Sequence, residues 1–204
     1  MSKSQLGQDL NVLKFYKNKK NGYFVEIGAS DGINLSNTYL LETDFDWKGI
    51  CVEPIPYNYE KLIINRPKSI CFHEAVYNQS GLNLNFDISN NFDLLSGISE
   101  NIDCYRKRVD ANKTTIIVPT ISLTDLLDKA KAPSFIEYLS LDTEGSEYEI
   151  IKNFNFNKYK FGLIDIEHNN IEPRRTYIKN LLLNNGYVYL GPNDFDDMYK
   201  HSSL

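Results

Sequence analysis

Val25-Glu26-Ile27-Gly28-Ala29-Ser30-Asp31-Gly32 is the stretch on which the fold turns. With Tyr23 and Phe24 it forms an apolar run that stops at Gly28, the pattern of a buried strand entering a tight turn. Small residues in the turn let backbone approach a ligand closely, and a following helix offers unpaired N–H groups. Two nucleotide motifs fail here. A dinucleotide G-x-G-x-x-G begun at Gly28 needs glycine where Ser30 and Ile33 stand. A P-loop needs glycine at Ile33 and lysine at Asn34. What is left is an acidic residue, one spacer and glycine, with a carboxylate inside the strand end. That carboxylate suits a ligand with ammonium or sulfonium charge and repels a pyrophosphate. A plain turn of an α/β protein would use the same residues with no ligand.

Glu53 ends the next apolar run, 21 positions after Gly32. An acid at that offset commonly accepts the ribose hydroxyls of an adenosine-type ligand. The alternative is a solvated acid ahead of a proline turn. Together the two features favour an adenosine carrying a positive group, a description that S-adenosylmethionine fits.

Outward from this pair, short apolar runs alternate with helical stripes. Leu6, Leu10 and Leu13 predict an amphipathic helix over Gln5–Lys17. Strands are predicted at Tyr23–Ile27, Gly49–Glu53, Ser69–Phe72, Ile136–Leu141, Phe161–Glu167, Tyr187–Leu190 and Met198–His201. Ser36 can cap a helix carrying Tyr39, Leu40 and Leu41, and another helix runs through Tyr59, Leu62 and Ile63. A capping box, Ser122 with Asp125, opens Thr124–Lys129; Glu147–Asn153 follows, and Pro173 and Gly186 bracket a last helix. The segment Asn78–Asn112 is rich in Asn, Asp and Ser and the least regular, with an edge strand at Leu82–Phe86. Such alternation predicts an α/β fold with helices on both faces of the sheet and ligands at the strands' carboxyl ends.

Composition narrows the function classes. A chain of 204 residues, 42% hydrophobic and 13% aromatic, can bury a core as one domain over 1–204 and is not a disordered chain. A net charge of −5 argues against a nucleic-acid partner. Apolar runs are short and Met1–Leu10 is polar, so neither a membrane span nor a secretory leader is expected. Cys51, Cys71 and Cys104 are odd in number and lack C-x-x-C spacing, which points to reduced thiols and a cytoplasmic location.

Two further strand ends carry carboxylates: Leu141-Asp142-Thr143-Glu144-Gly145-Ser146-Glu147 and Asp165-Ile166-Glu167-His168-Asn169. Burial there is costly without partners. Asp142, Glu144, Glu167 and His168 can share one pocket, as a general base with its orienting groups or as ligands for Mg²⁺ or Mn²⁺. His168 is the favoured base. The structural alternatives are helix N-capping for Asp142 and Glu144, and an exposed loop position for His168.

Further motifs sit between these. They are Ser4-Gln5-Leu6-Gly7-Gln8-Asp9, Leu35-Ser36-Asn37-Thr38-Tyr39, Trp47-Lys48-Gly49-Ile50, Val52-Glu53-Pro54, Val118–Leu123 and Leu139–Gly145. In this order they resemble the FkbM-type family of S-adenosylmethionine-dependent methyltransferases over nearly the whole chain; Phe86–Asn112 finds no counterpart. The resemblance implies a class I methyltransferase fold, a Rossmann-like mostly parallel sheet with an antiparallel C-terminal strand. It also implies O-methylation of hydroxyls on sugars, glycans or natural products. By position it puts Glu26, Gly28, Ala29 and Ser30 at the methionine half of the cofactor, Glu53 at the ribose, and Glu74, Ala75 and Val76 beside the adenine. Gln5, Asp31, Asn37, Pro54 and Asp142 complete the expected cofactor set. Gln5–Asp9 is expected to fold back near the methionine end. Ser30 stands where many methyltransferases of this fold have glycine, so the loop runs wider.

The expected activity is therefore O-methyl transfer to a sugar hydroxyl, in a nucleotide-sugar or surface-glycan precursor. Residues 87–112 are expected to form an acceptor-side loop or cap. Tyr105 would stack on a sugar there, while Arg106 and Arg108 pair with a phosphate. The rivals are a non-catalytic glycan- or partner-binding module on the same fold and a nucleotide-sugar-modifying oxidoreductase. Carboxylates at the strand ends count against the first, and the failed dinucleotide motif against the second.

Overall fold

Tyr23–Ile27 is a strand at the centre of the larger sheet in the computed structural model, which describes residues 1–204. The chain opens with α1 (Gln8–Phe15), β1 (Tyr23–Ile27), α2 (Tyr39–Phe45), β2 (Lys48–Val52), α3 (Pro56–Asn65) and β3 (Ile70–Phe72). It continues with β4 (Ala75–Tyr77), β5 (Asn83–Ser89), β6 (Gly97–Ile98), α4 (Arg106–Ala111), β7 (Lys113–Ser122) and α5 (Leu123–Lys129). Then come β8 (Phe135–Leu141), α6 (Glu147–Lys152), β9 (Lys160–Glu167), α7 (Arg174–Asn184), β10 (Tyr187–Asn193) and β11 (Asp196–His201).

Seven strands form the main sheet in the order β10-β11-β9-β8-β1-β2-β3. The five from β9 to β3 run parallel; β11 lies antiparallel to β9, and β10 antiparallel to β11. This is the expected α/β architecture with its antiparallel C-terminal strands. Alternation along β1 explains how both faces are covered. Phe24 packs with Val12, Leu41 and Leu62 of α1–α3, while Val25 and Ile27 join the cluster holding Leu126, Ile150 and Ile178 of α5–α7. The chain winds outward from β1 to β3 and later returns to β8 on the other side. The carboxyl end of β1 is thus a topological switch point, where the connections part and leave a crevice.

Local chemistry fixes the helix starts. Pro56 stands at the beginning of α3, where its preset φ fits the first turn. Ser122 caps α5 by accepting from Asp125 N at 3.1 Å, as the capping box predicts. Ser36 Oγ accepts from Tyr39 N at 3.0 Å, serving the first amide of α2 although Thr38 holds the cap position.

Two expectations are corrected. The first helix starts at Gln8 instead of Gln5, because Gly7 turns the chain with φ 75. The region 78–112 is also more ordered than its composition predicts. With β4 and β7, strands β5 and β6 make a second sheet in the order β4-β7-β5-β6. Its polar residues are partners in a network. Buried Asp87 accepts from Arg106 Nη1 at 3.0 Å, Lys113 Nζ at 2.9 Å and Thr115 Oγ1 at 2.6 Å. The β-branched run Thr114–Val118 pairs antiparallel with β5, and Phe86, Ile88, Ile98 and Val118 pack on Ile55 and Ala75. That packing sets the small sheet against the crevice.

Candidate active site

A cavity of about 230 Å³ lies at the carboxyl ends of β1, β2 and β8, where the switch point calls for it. Gly28 bends the chain there with φ 85, and a Cβ would stand 1.9 Å from Asp142 O. Only glycine lets this loop and the end of β8 lie so close. Gly28 N and Ala29 N both donate to Val52 O, at 3.1 and 3.0 Å. Ser30, at φ 46, donates its N–H to Glu53 Oε2 at 2.9 Å, and Ile55 N donates to Glu53 Oε1 at 2.7 Å. Burial pushes the Glu53 carboxyl up to about 7, against the pull of these two amides.

Glu26 is occupied elsewhere. It accepts from Ser36 Oγ (2.9 Å), Asn37 N (2.6 Å), Thr38 Oγ1 (2.6 Å) and Arg66 Nη1 (3.1 Å). Arg66 also donates to Glu42 Oε2 at 2.9 Å and to Thr38 Oγ1 at 2.7 Å. The group braces the β1–α2 loop from behind, and Glu26 does not line the cavity. The expectation that Glu26 faces the ligand is corrected: a carboxylate this buried needs an internal cation, and α3 ends on one. Asn37 and Asp31 also lie outside the cavity. Asn37 Nδ2 donates to Ser140 Oγ at 2.9 Å, while Asp31 accepts from Ile33 N and Asn34 N at 2.9 and 2.8 Å to close the turn.

Gln5, Gly28, Ala29, Ser30, Glu53, Pro54, Glu74, Ala75 and Val76 line one side of the cavity. Gln5 is held there by the Ser4–Leu35 bridge and by Gln8 Nε2, which donates to buried Asp196 Oδ2 at 2.9 Å. Asp142, Glu144 and Glu167 line the other end, with one carboxylate oxygen of each within 4.8 Å of the others. Burial lifts all three above the ordinary carboxylate range, helped by nearby acids: Asp196 and Glu147 at Asp142, Asp142 and Glu147 at Glu144, and Asp142 and Glu144 at Glu167. No lysine, arginine or histidine lines the cavity, while Glu53, Glu74, Asp93, Asp142, Glu144 and Glu167 do. The lining is acidic, with no basic side chain to balance it.

His168 is not in this set. Its Nδ1 accepts from Asn170 N at 2.9 Å, and its Nε2 faces Asp197 Oδ1 at 3.4 Å. The ring is 1% exposed and turned away from the cavity, so neither the base nor the metal-ligand role fits it. Asp197 is also gripped by Arg175 at 2.9 and 2.7 Å; these bonds and the histidine hold its carboxyl below the usual range, although burial opposes them. The two arginines expected at the acceptor are likewise corrected. Arg106 is tied to Asp87 and Ser99 O, and Arg108 sits over the Tyr105 ring, 5.9 Å from its centroid. Tyr105 alone of the three lines the cavity.

Sequence reasoning missed Asn58, Ser146, Asn169, Phe195 and the apolar wall of Phe86, Leu94, Leu95 and Ile98, all of which line the cavity. All of that wall falls in the unmatched 86–112 stretch, whose length is its only signal. Phe195 lies in the tight β10–β11 connection and gave none.

A parallel sheet with an antiparallel C-terminal pair and an acidic crevice at its switch point defines a class I methyltransferase. Solved structures agree on the fold. The chain is similar to the delta-N METTL16 MTase domain, with a TM-score of 0.52 and 10% identity over 97% of this chain and 81% of that one. It is similar to human methyltransferase 10 domain containing protein, at 0.50 and 10% over 96% and 82%. Identities this low speak to the fold alone. No curated protein matches the sequence. The methyltransferase FkbM domain matches residues 26–198, and the chain belongs to that family. It is an S-adenosylmethionine-dependent methyltransferase. No helix is long and apolar enough to cross a membrane.

Proposed function

We propose that the protein transfers a methyl group to a hydroxyl of a sugar, and that the sugar is an uncharged unit of a glycan precursor. The observation that carries this reading is the cavity lining, with six carboxylates and no basic side chain. A nucleotide-sugar would bring a pyrophosphate into that field, and neither Arg106 nor Arg108 is placed to meet it. Tyr105, with Phe86 and Ile98, gives the cavity an apolar wall suited to the apolar face of a sugar.

The residues fit the cofactor. Glu53, its two oxygens already aimed by backbone amides, would accept the ribose hydroxyls. Gly28 and Ala29 leave room for the methionine half, with Gln5 beside them, and Ala75 and Val76 would flank the adenine. When bound, S-adenosylmethionine supplies an electrophilic methyl on a positively charged sulfur. The protein aligns the acceptor oxygen with it and removes the hydroxyl proton. Asp142, Glu144 and Glu167 stand at the acceptor end, and Asp142, whose carboxyl burial pushes up to about 7, is the one suited to accepting that proton near neutral pH.

Labelled S-adenosylmethionine incubated with neutral, amino and phosphorylated sugars tests this. An alkali-stable methyl ether on neutral sugars is expected. Label confined to phosphorylated acceptors, or to nitrogen, would refute it.

A further inference from the structure

We propose that Asp142, Glu144 and Glu167 form a binding site for one divalent cation of the Mg²⁺ or Mn²⁺ type. The inference rests on the same cavity as the methyl-transfer reading and adds a ligand that the methyltransferase assignment does not require. Of 27 acidic residues, only these three bring a ligand oxygen each into one group with the spacing a metal needs. Oxygens on opposite sides of such an ion stand roughly 4–5 Å apart, and the observed oxygens lie within 4.8 Å. Each comes from a different place: Asp142 from the end of β8, Glu144 from the loop after it, and Glu167 from the end of β9. Parallel pairing of β8 with β9 in fixed register keeps them together.

A second, non-acidic group points the same way. The Ser146 hydroxyl is 1% exposed, lines the same cavity and has no hydrogen-bond partner. Glu167 Oε2 and Glu144 Oε2 are also buried and without partners. No basic side chain lines this cavity, and the arginine that approaches from behind forms its salt bridges with other acids. Arg174 donates to Asp103 and to Gly145 O at 3.0 Å, and its remaining charge contact is with Glu147 at 3.8 Å. Unsatisfied hard oxygens in an interior without a counter-charge select a hard cation over zinc or copper, which favour nitrogen and sulfur.

Mn²⁺ titrated into the full chain and followed by electron paramagnetic resonance tests the site directly. One saturable Mn²⁺ per chain is expected, competed by Mg²⁺. Asp142→Asn and Glu167→Gln should each weaken it at least about tenfold, and Ser146→Ala by less. Calorimetry with S-adenosylhomocysteine, run on the same samples, reports separately on folding and on the cofactor site. Glu167→Gln that binds S-adenosylhomocysteine normally and has lost Mn²⁺ supports the site. No saturable Mn²⁺ in wild type, or equal binding in all variants, would overturn it whatever the cofactor does. Loss of S-adenosylhomocysteine binding in wild type would instead strike the methyl-transfer reading.

Discussion

Arg66 Nη1 lies 3.1 Å from Glu26 Oε2, joining the end of α3 to the interior of β1. Both side chains are almost fully buried, and Glu42 completes the group at 2.9 Å. A buried ion pair of this kind adds little over a well-packed apolar pair, but removing one partner strands the others. Arg66→Met should therefore cost roughly 3–5 kcal/mol, a fall in Tm of about 6–20 °C. The double variant Arg66→Met, Glu26→Gln should recover part of it. A melt of Arg66→Met indistinguishable from wild type would show that the pair does not brace the loop.

His168, facing Asp197 Oδ1 at 3.4 Å, is expected to matter for stability alone. His168→Ala should lower Tm, because the buried ring is lost and Asp197 loses its neighbour. Turnover should stay within a few-fold of wild type, whereas loss of a general base costs about 10²- to 10⁴-fold. Steady-state rates on the folded variant decide between the two.

These two residues mark the boundary of what the sequence makes legible. Strand and helix order follow from apolar periodicity, so β1, β2, β8 and β9 and the loops after them are readable without coordinates. Which carboxylate faces the ligand is not. Glu26 is directed inward by Arg66, forty positions away, and His168 by Asp197, across the β9–β11 pairing; such long-range partners leave no local pattern. The second sheet is hidden for a different reason. Asn, Asp and Ser read as loop formers until Asp87 is seen collecting Arg106, Lys113 and Thr115.

Asp165 gives the fold a pH signature. Tyr138 Oη donates to its Oδ2 at 2.8 Å, Oδ1 has no partner, and burial pushes the carboxyl up to about 7 despite the tyrosine. In the unfolded chain an aspartate ionises near pH 4. Between about pH 4 and 7 the native state therefore holds more protons than the unfolded one, and stability falls as pH rises through that window. Asp165→Asn keeps an acceptor for Tyr138 and removes the titration. Its Tm should decline less than that of wild type over this range. Parallel curves for the two proteins would contradict the assignment.

The account stands or falls on Glu53 as the anchor of the cofactor in the acidic crevice. Calorimetric titration of S-adenosylhomocysteine into wild type and Glu53→Ala is the most direct measurement. Wild type should bind one equivalent, and the variant should bind about 10- to 150-fold more weakly, the loss of roughly 1.5–3 kcal/mol expected for a charged hydrogen-bond acceptor. Equal affinity in the two proteins would contradict the account.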